Sequence, residues 1–130
     1  MSFVVDQFLR YISYDTQSVD EAEKIPSTES QFALANLLAK ELEEMGAEEV
    51  KVDCQCYVTA VIPANTDRKV PSLGFIAHMD TAPAFSGSNV KPQIIKNYDG
   101  SPIVLNAKQN IKLNPAEFPE LMNYVGKDLI

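Results

Sequence analysis

The chain has 130 residues, 45% of them hydrophobic and 22% charged, which fits neither a disordered polar tract nor a membrane protein. Eighteen acids against eleven bases leave a formal charge of −7, and a surface of that sign repels phosphate, which argues against nucleic acid as a main partner. No run of about 18 uninterrupted apolar residues occurs, and Met1-Ser2-Phe3-Val4-Val5-Asp6 has no basic stretch ahead of an apolar one, so neither a membrane span nor a secretory signal is expected.

From Phe3 to about Tyr14, the residues Val4, Val5, Phe8, Leu9 and Ile12 recur at three- and four-residue spacing. This predicts an amphipathic helix with Asp6, Gln7 and Arg10 on its polar side. Asp15-Thr16-Gln17-Ser18 breaks it without offering catalytic chemistry, and Asp20-Glu21-Ala22-Glu23 reads as an exposed loop. Pro26-Ser27-Thr28 leads into a second helix, where Thr28-x-x-Gln31 has the form of a capping box. Leu34, Leu38, Leu42 and Met45 follow one face, widened by Phe32 and Leu37, and Gly46 is the natural left-handed stop. Glu41, Glu43 and Glu44 are expected on the solvated face.

After Gly46 the period changes to alternation, with Val50, Val52 and Cys54 against Glu49, Lys51 and Asp53, as in a half-buried strand. Cys54-x-Cys56 is too little for a disulfide framework or a four-sulfur zinc site, and reads as two reduced thiols. Tyr57 to Ile62 is a second strand ended by Pro63, and the polar stretch to Pro71 is a surface connection. Leu73-Gly74-Phe75-Ile76-Ala77 is small and apolar throughout, as in a strand covered on both faces in the middle of an α/β sheet. Beyond it, residues 81–97 form a long loop with one short strand at Gln93 to Ile95. A strand is expected at Ser101 to Leu105, and a helix opening at Asn114 or Pro115 and stopping near Gly126. The order of helices and strands is that of an α/β layered domain, and the buried strand lacks enough neighbours in 130 residues.

His78, the single histidine, stands two residues from Asp80 where the apolar strand emerges into a loop. Ligands gather beyond the C-terminal ends of strands in open α/β sheets. At a spacing of two on an extended segment, both side chains project to one side. The carboxylate could then orient the imidazole while its other nitrogen takes a metal. A hydrogen-bonded surface histidine has the same local sequence, and chemistry alone leaves both readings open.

The surrounding residues carry a resemblance. Gly74-Phe75-Ile76-Ala77-His78-Met79-Asp80-Thr81-Ala82-Pro83 resembles the first metal-ligand segment of the co-catalytic zinc exopeptidases, which include aminoacylases, dipeptidases and tripeptidases. Ser86-Gly87-Ser88-Asn89-Val90-Lys91-Pro92-Gln93-Ile94 and Asn97-Tyr98-Asp99-Gly100 resemble the loop of the peptidase T family, cytoplasmic tripeptide aminopeptidases. Phe8-Leu9-Arg10-Tyr11-Ile12, Asp15-Thr16-Gln17-Ser18, Pro26-Ser27-Thr28-Glu29, Leu42-Glu43-Glu44-Met45-Gly46 and Ile62-Pro63-Ala64-Asn65 are similar as well, so the likeness is collinear along the chain.

The resemblance implies an α/β fold in which residues 1–130 are the N-terminal part of a three-layer α/β/α catalytic domain, with an incomplete sheet and without the family's inserted dimerisation domain. It implies a site for two zinc ions, with His78 a metal ligand and Asp80 the catalytic carboxylate that orients it. Tripeptides are the implied substrates and the cytoplasm the implied compartment; no nucleic acid or membrane partner is expected, and a homo-oligomer is allowed. The family's bridging aspartate, general-base glutamate, other carboxylate ligands and second histidine lie further along. Asp99, Glu117, Glu120 and Asp128 do not match their motif context, so the chain alone is expected to be inactive. Two alternatives stand beside this. One is part of a related dipeptidase or deacylase; the other is a non-catalytic truncated module that binds a partner or self-associates through an unpaired sheet edge. A nucleotide-binding domain has no glycine-rich phosphate loop to support it.

Overall fold

A computed structural model describes residues 2–130, which form two compact units, the first reaching Val90 and the second comprising Lys91–Ile130. The chain is of α/β type with two separate two-stranded antiparallel sheets, where a single layered sheet was expected. None of the described helices is long and apolar enough to cross a membrane.

In the first unit, helix α1 spans Phe3–Tyr11, shorter than its apolar spacing predicts, because Ile12 caps it and the chain turns at Ser13. Its apolar stripe is only partly covered, with Val5 and Leu9 half-buried while Phe3, Val4 and Phe8 face solvent. A polar tie is added to it. Arg10 Nη1 donates to Glu41 Oε1 at 2.6 Å, and the Tyr11 hydroxyl donates to Glu41 Oε2. Glu41 is therefore buried, against the expectation of a solvated face.

Helix α2 spans Gln31–Glu44. The expected capping box is not made. Thr28 Oγ1 donates to the Gln17 carbonyl at 2.9 Å and accepts from Ser30 Oγ at 3.2 Å, so the hydroxyl is occupied elsewhere. The chain enters α2 instead through tight turns, with Phe32 N donating to Glu29 O and Ala33 N to Ser30 O. Leu34 and Ala35 are buried on the side that packs on the neighbouring hairpin. Gly46 does end the helix, at φ +83°, with Gly46 N bonded to Glu43 O and Ala47 N to Leu42 O in a Schellman motif. Met45 falls at the cap and is exposed rather than continuing the buried face.

Strands β1 (Glu48–Val52) and β2 (Val58–Val61) form an antiparallel hairpin with Lys51 opposite Thr59 and Val52 opposite Val58. The register shifts between Glu48 and Lys51, where Glu49 takes φ 52° as a bulge residue. Asp53 Oδ1 accepts the Gln55 and Tyr57 amides, both at 2.9 Å, and shapes the connecting loop. Cys54 and Cys56 in that loop are free thiols, the first exposed and the second buried.

The strand expected at residues 73–77 is not formed. Leu73 is 83% and Phe75 93% exposed, and Ile76 is fully so. A ladder needs a neighbour, and β1 and β2 pair with each other while no described strand reaches this segment.

In the second unit, β3 (Ile103–Asn106) pairs with β4 (Ile111–Leu113), a strand that sequence reading left out. Ile95 and Leu129 form an antiparallel bridge through two bonds of 2.9 Å. Tyr98 lies buried beneath, its amide on Lys127 O and its carbonyl taking Gly126 N. The predicted helix from Asn114 shrinks to a 3-10 helix at Pro119–Tyr124. Pro119 has no N–H and its ring clashes with the carbonyl four residues back, so a helix cannot run through it but can restart there.

Candidate metal-ligand corner

His78 sits at the end of the exposed apolar run, with its side chain 85% exposed. Its Nδ1 lies 2.9 Å from the Asp80 carbonyl oxygen and 3.1 Å from Asp80 Oδ1. Both partners are acceptors, so Nδ1 carries a proton, and in the neutral ring Nε2 then keeps its lone pair. The spacing of two thus brings together the two residues singled out in the sequence.

The other carboxylate oxygen is also held. Ser18 Oγ donates to Asp80 Oδ2 at 2.6 Å and stands 2.8 Å from Thr81 O. That hydroxyl, more than His78, holds the Asp80 carboxyl below its usual range, against a partial desolvation that acts the other way. Ser18 lies 62 residues from Asp80, and its segment Asp15-Thr16-Gln17-Ser18 shares the family resemblance without indicating this contact.

The chain brings Ser18 there through a backbone latch. Thr81 N donates to Thr16 O at 3.1 Å and Ser18 N to Thr81 O at 2.9 Å, a parallel bridge between Gln17 and Thr81, with Thr16 buried beside it. The Gln17 side chain then spans two points of the loop, donating to Pro83 O at 2.9 Å and accepting from Gly87 N at 3.3 Å. Gly87 is needed for this approach, because a Cβ there would stand 2.9 Å from Asp15 Oδ1 and 3.2 Å from Thr81 Oγ1. An open cleft of about 320 Å³ adjoins the latch, lined by Asp15, Ser18, Asp20, Thr28 and Pro83 among others. A second open cleft, of about 350 Å³, belongs to the Lys91–Ile130 unit and contains neither His78 nor Asp80, so its size does not make it the chemical site.

Two of the four acids left aside in the sequence, Asp99 and Asp128, serve local structure. Asp99 accepts from the Ser101 amide and hydroxyl, and Asp128 from Lys96 Nζ and the Asn97 amide, which in each case lowers the carboxyl from its ordinary value. Among the described residues, no three of His, Cys, Asp and Glu converge on a common point. Catalytic zinc takes three protein ligands, whereas this arrangement offers His78 Nε2 backed by Asp80. The residues fit one ligand position and do not make a whole metal centre.

Over its entire length the chain is similar to peptidases. The relatives are, more narrowly, peptidase T. That of Caldanaerobacter subterraneus subsp. tengcongensis is 57% identical over 130 residues, covering 100% of this chain and 32% of the relative. Peptidase T of Clostridium novyi is 55% identical with the same coverage, and that of Geobacillus thermodenitrificans 54% identical over 127 residues. The chain is thus homologous to a segment of peptidase T, and spans about a third of the length of the curated relatives it matches. No protein-family model matches it.

Proposed function

We propose that residues 1–130 are the N-terminal, histidine-bearing part of a cytoplasmic zinc aminopeptidase that releases the N-terminal residue of tripeptides. The observation that carries this reading is the His78–Asp80 pair, with Nε2 left free to bind a metal, in a chain 57% identical to a peptidase T. His78 would be one ligand of a two-zinc site and Asp80 would hold its ring in the binding tautomer. When bound, such metals supply a hydroxide near neutral pH and polarise the scissile carbonyl. The general base and remaining ligands would come from polypeptide beyond these residues, so the isolated chain is inactive. In the complete domain, residues 73–77 would become a strand of a three-layer α/β/α sheet.

The test compares the 130-residue chain with the complete polypeptide encoded by its gene, on tripeptides, dipeptides and N-acyl amino acids, with and without chelator. Chelator-sensitive release of the first residue from tripeptides by the longer protein alone is expected, and His78→Ala should abolish it. Preference for dipeptides or acyl amino acids would move the reading to a related dipeptidase or deacylase. Tripeptide cleavage by residues 1–130 unaided would overturn it.

A second reading rests on the exposed tract at Leu73, Phe75 and Ile76, which fits a non-catalytic module that self-associates by strand pairing. Sedimentation of the 130-residue chain decides: a concentration-dependent dimer lost in Phe75→Lys would support it, and a monomer at high concentration would remove it.

A further inference from the structure

We propose that Ser18 is a positioning residue for His78, acting through Asp80. The two oxygens of the Asp80 carboxylate have different partners, Oδ2 the Ser18 hydroxyl at 2.6 Å and Oδ1 the His78 Nδ1 at 3.1 Å. Held at Oδ1 alone, the carboxylate still swings about its own bond axes; held at Oδ2 as well, it keeps Oδ1 aimed at the ring. Ser18 can supply that hold because its own backbone is fixed. Its amide is bonded to Thr81 O, and Thr81 N to the carbonyl of buried Thr16, so the hydroxyl projects from a bridged segment rather than from a free loop. The Ser18 amide also satisfies Thr81 O, which leaves the single hydroxyl proton for the carboxylate, the closer and charged acceptor.

The consequence is chemical as well as geometric. An imidazole as exposed as His78 is free to carry its proton on either nitrogen. Only the Nδ1–H form leaves Nε2 with a lone pair. Asp80 selects that form through two acceptors, its carbonyl oxygen at 2.9 Å and its Oδ1 at 3.1 Å, and Ser18 governs the placement of the second. Outer partners of this kind affect metal affinity or activity by about 10- to 100-fold in known metal sites. For its effect on catalysis, the inference rests on the aminopeptidase reading of His78. For its effect on the ring, it does not.

Because the chain has one histidine, its ring nitrogens give one unambiguous pair of signals. Long-range proton–nitrogen spectra of the 130-residue chain, recorded in mildly alkaline buffer, read the tautomer of the neutral ring directly. We expect Nδ1–H to dominate in the native chain. In Ser18→Ala the ratio of Nδ1–H to Nε2–H should fall about twofold or more, and Ser18→Thr, which keeps the hydroxyl, should restore it. Ser18→Cys keeps the volume with a weak donor, and gives the same readout if the alanine variant does not fold. In the complete enzyme, Ser18→Ala should lower zinc affinity and kcat about tenfold with KM little changed, as expected of a residue that acts through a metal ligand. An unchanged tautomer ratio in a folded Ser18→Ala or Ser18→Cys chain overturns the proposal, whatever the activity. A shifted ratio in a protein without metal-dependent hydrolysis would leave Ser18's role intact and overturn the aminopeptidase reading instead.

Discussion

Glu41 is the residue on which the polar attachment of α1 depends, and its removal has a calculable effect. Its side chain is 8% exposed and accepts from two donors of α1, Arg10 and the Tyr11 hydroxyl. A hydrogen bond to a charged group is worth about 1.5–3 kcal/mol. Arg10 is 51% exposed, which reduces its share to about 0.5 kcal/mol. Glu41→Gln keeps the shape, removes the charge and relieves the cost of burying it, so a loss of about 1–2 kcal/mol is expected. Since no residue of α1 is buried, the loss should appear as local opening. Amide exchange in α1 should accelerate about tenfold, while that of α2 stays within a factor of two. Tyr11→Phe should cost nearly as much, and the double variant should show a coupling of about 1 kcal/mol. The same contact predicts a pH dependence. Burial, and then the Glu41 carboxylate, push the Tyr11 phenol up to about 12 from an ordinary 10.0. A pKa raised in the folded state means that the contribution is complete below pH 10 and is lost as pH rises through 12. Tyr11→Phe should abolish that alkaline loss. A coupling below about 0.3 kcal/mol, within the usual error of additivity, would refute this account of how α1 is held.

Gly87→Ala should cost about 1–3 kcal/mol by forcing a methyl against Asp15 and Thr81, and amide exchange at Ser18 and Thr81 should rise with it. Gly46→Ala should lower stability in urea by about 1 kcal/mol, because at φ +83° only the backbone conformation is strained. Gly74→Ala, with nothing within 4 Å, should be neutral in the same assay. Burial, and then Asp53, raise the Cys56 thiol above its ordinary value while Cys54 is exposed, so iodoacetamide should label Cys54 well before Cys56. Equal labelling rates would show that the hairpin loop is open in solution.

What the sequence revealed were features set by near neighbours. The leucines of α2 and its glycine stop were legible because three- and four-residue spacing and a left-handed φ are local properties. The meeting of His78 with Asp80 was legible for the same reason. Residues 73–77 read as a strand and form none here, because an apolar extended run has the same composition whether or not a ladder is there to receive it. The capping box failed because Thr28 finds a distant carbonyl, and Glu41 was misplaced because its partners lie on another helix. Ser18 is legible in the sequence only as part of a segment that breaks a helix and shares the family resemblance. Its meaning depends on a bridge to Thr81, and no periodicity encodes a pairing across 62 residues.

The latch between residues 15–18 and the loop of Thr81 to Gly87 also bears on the order in which the protein takes shape at the ribosome. Every group in it lies before residue 90, so the His78 segment can be anchored while later polypeptide is still being made. At about 5–20 residues per second, Thr81 is synthesised roughly 3 to 13 s after Gln17. For that interval the Ser18 amide and the Thr16 carbonyl stay in water, awaiting a partner already encoded. Once Thr81 clears the exit tunnel, the imidazole and its carboxylate become a fixed point on the nascent chain, to which whatever follows must be fitted.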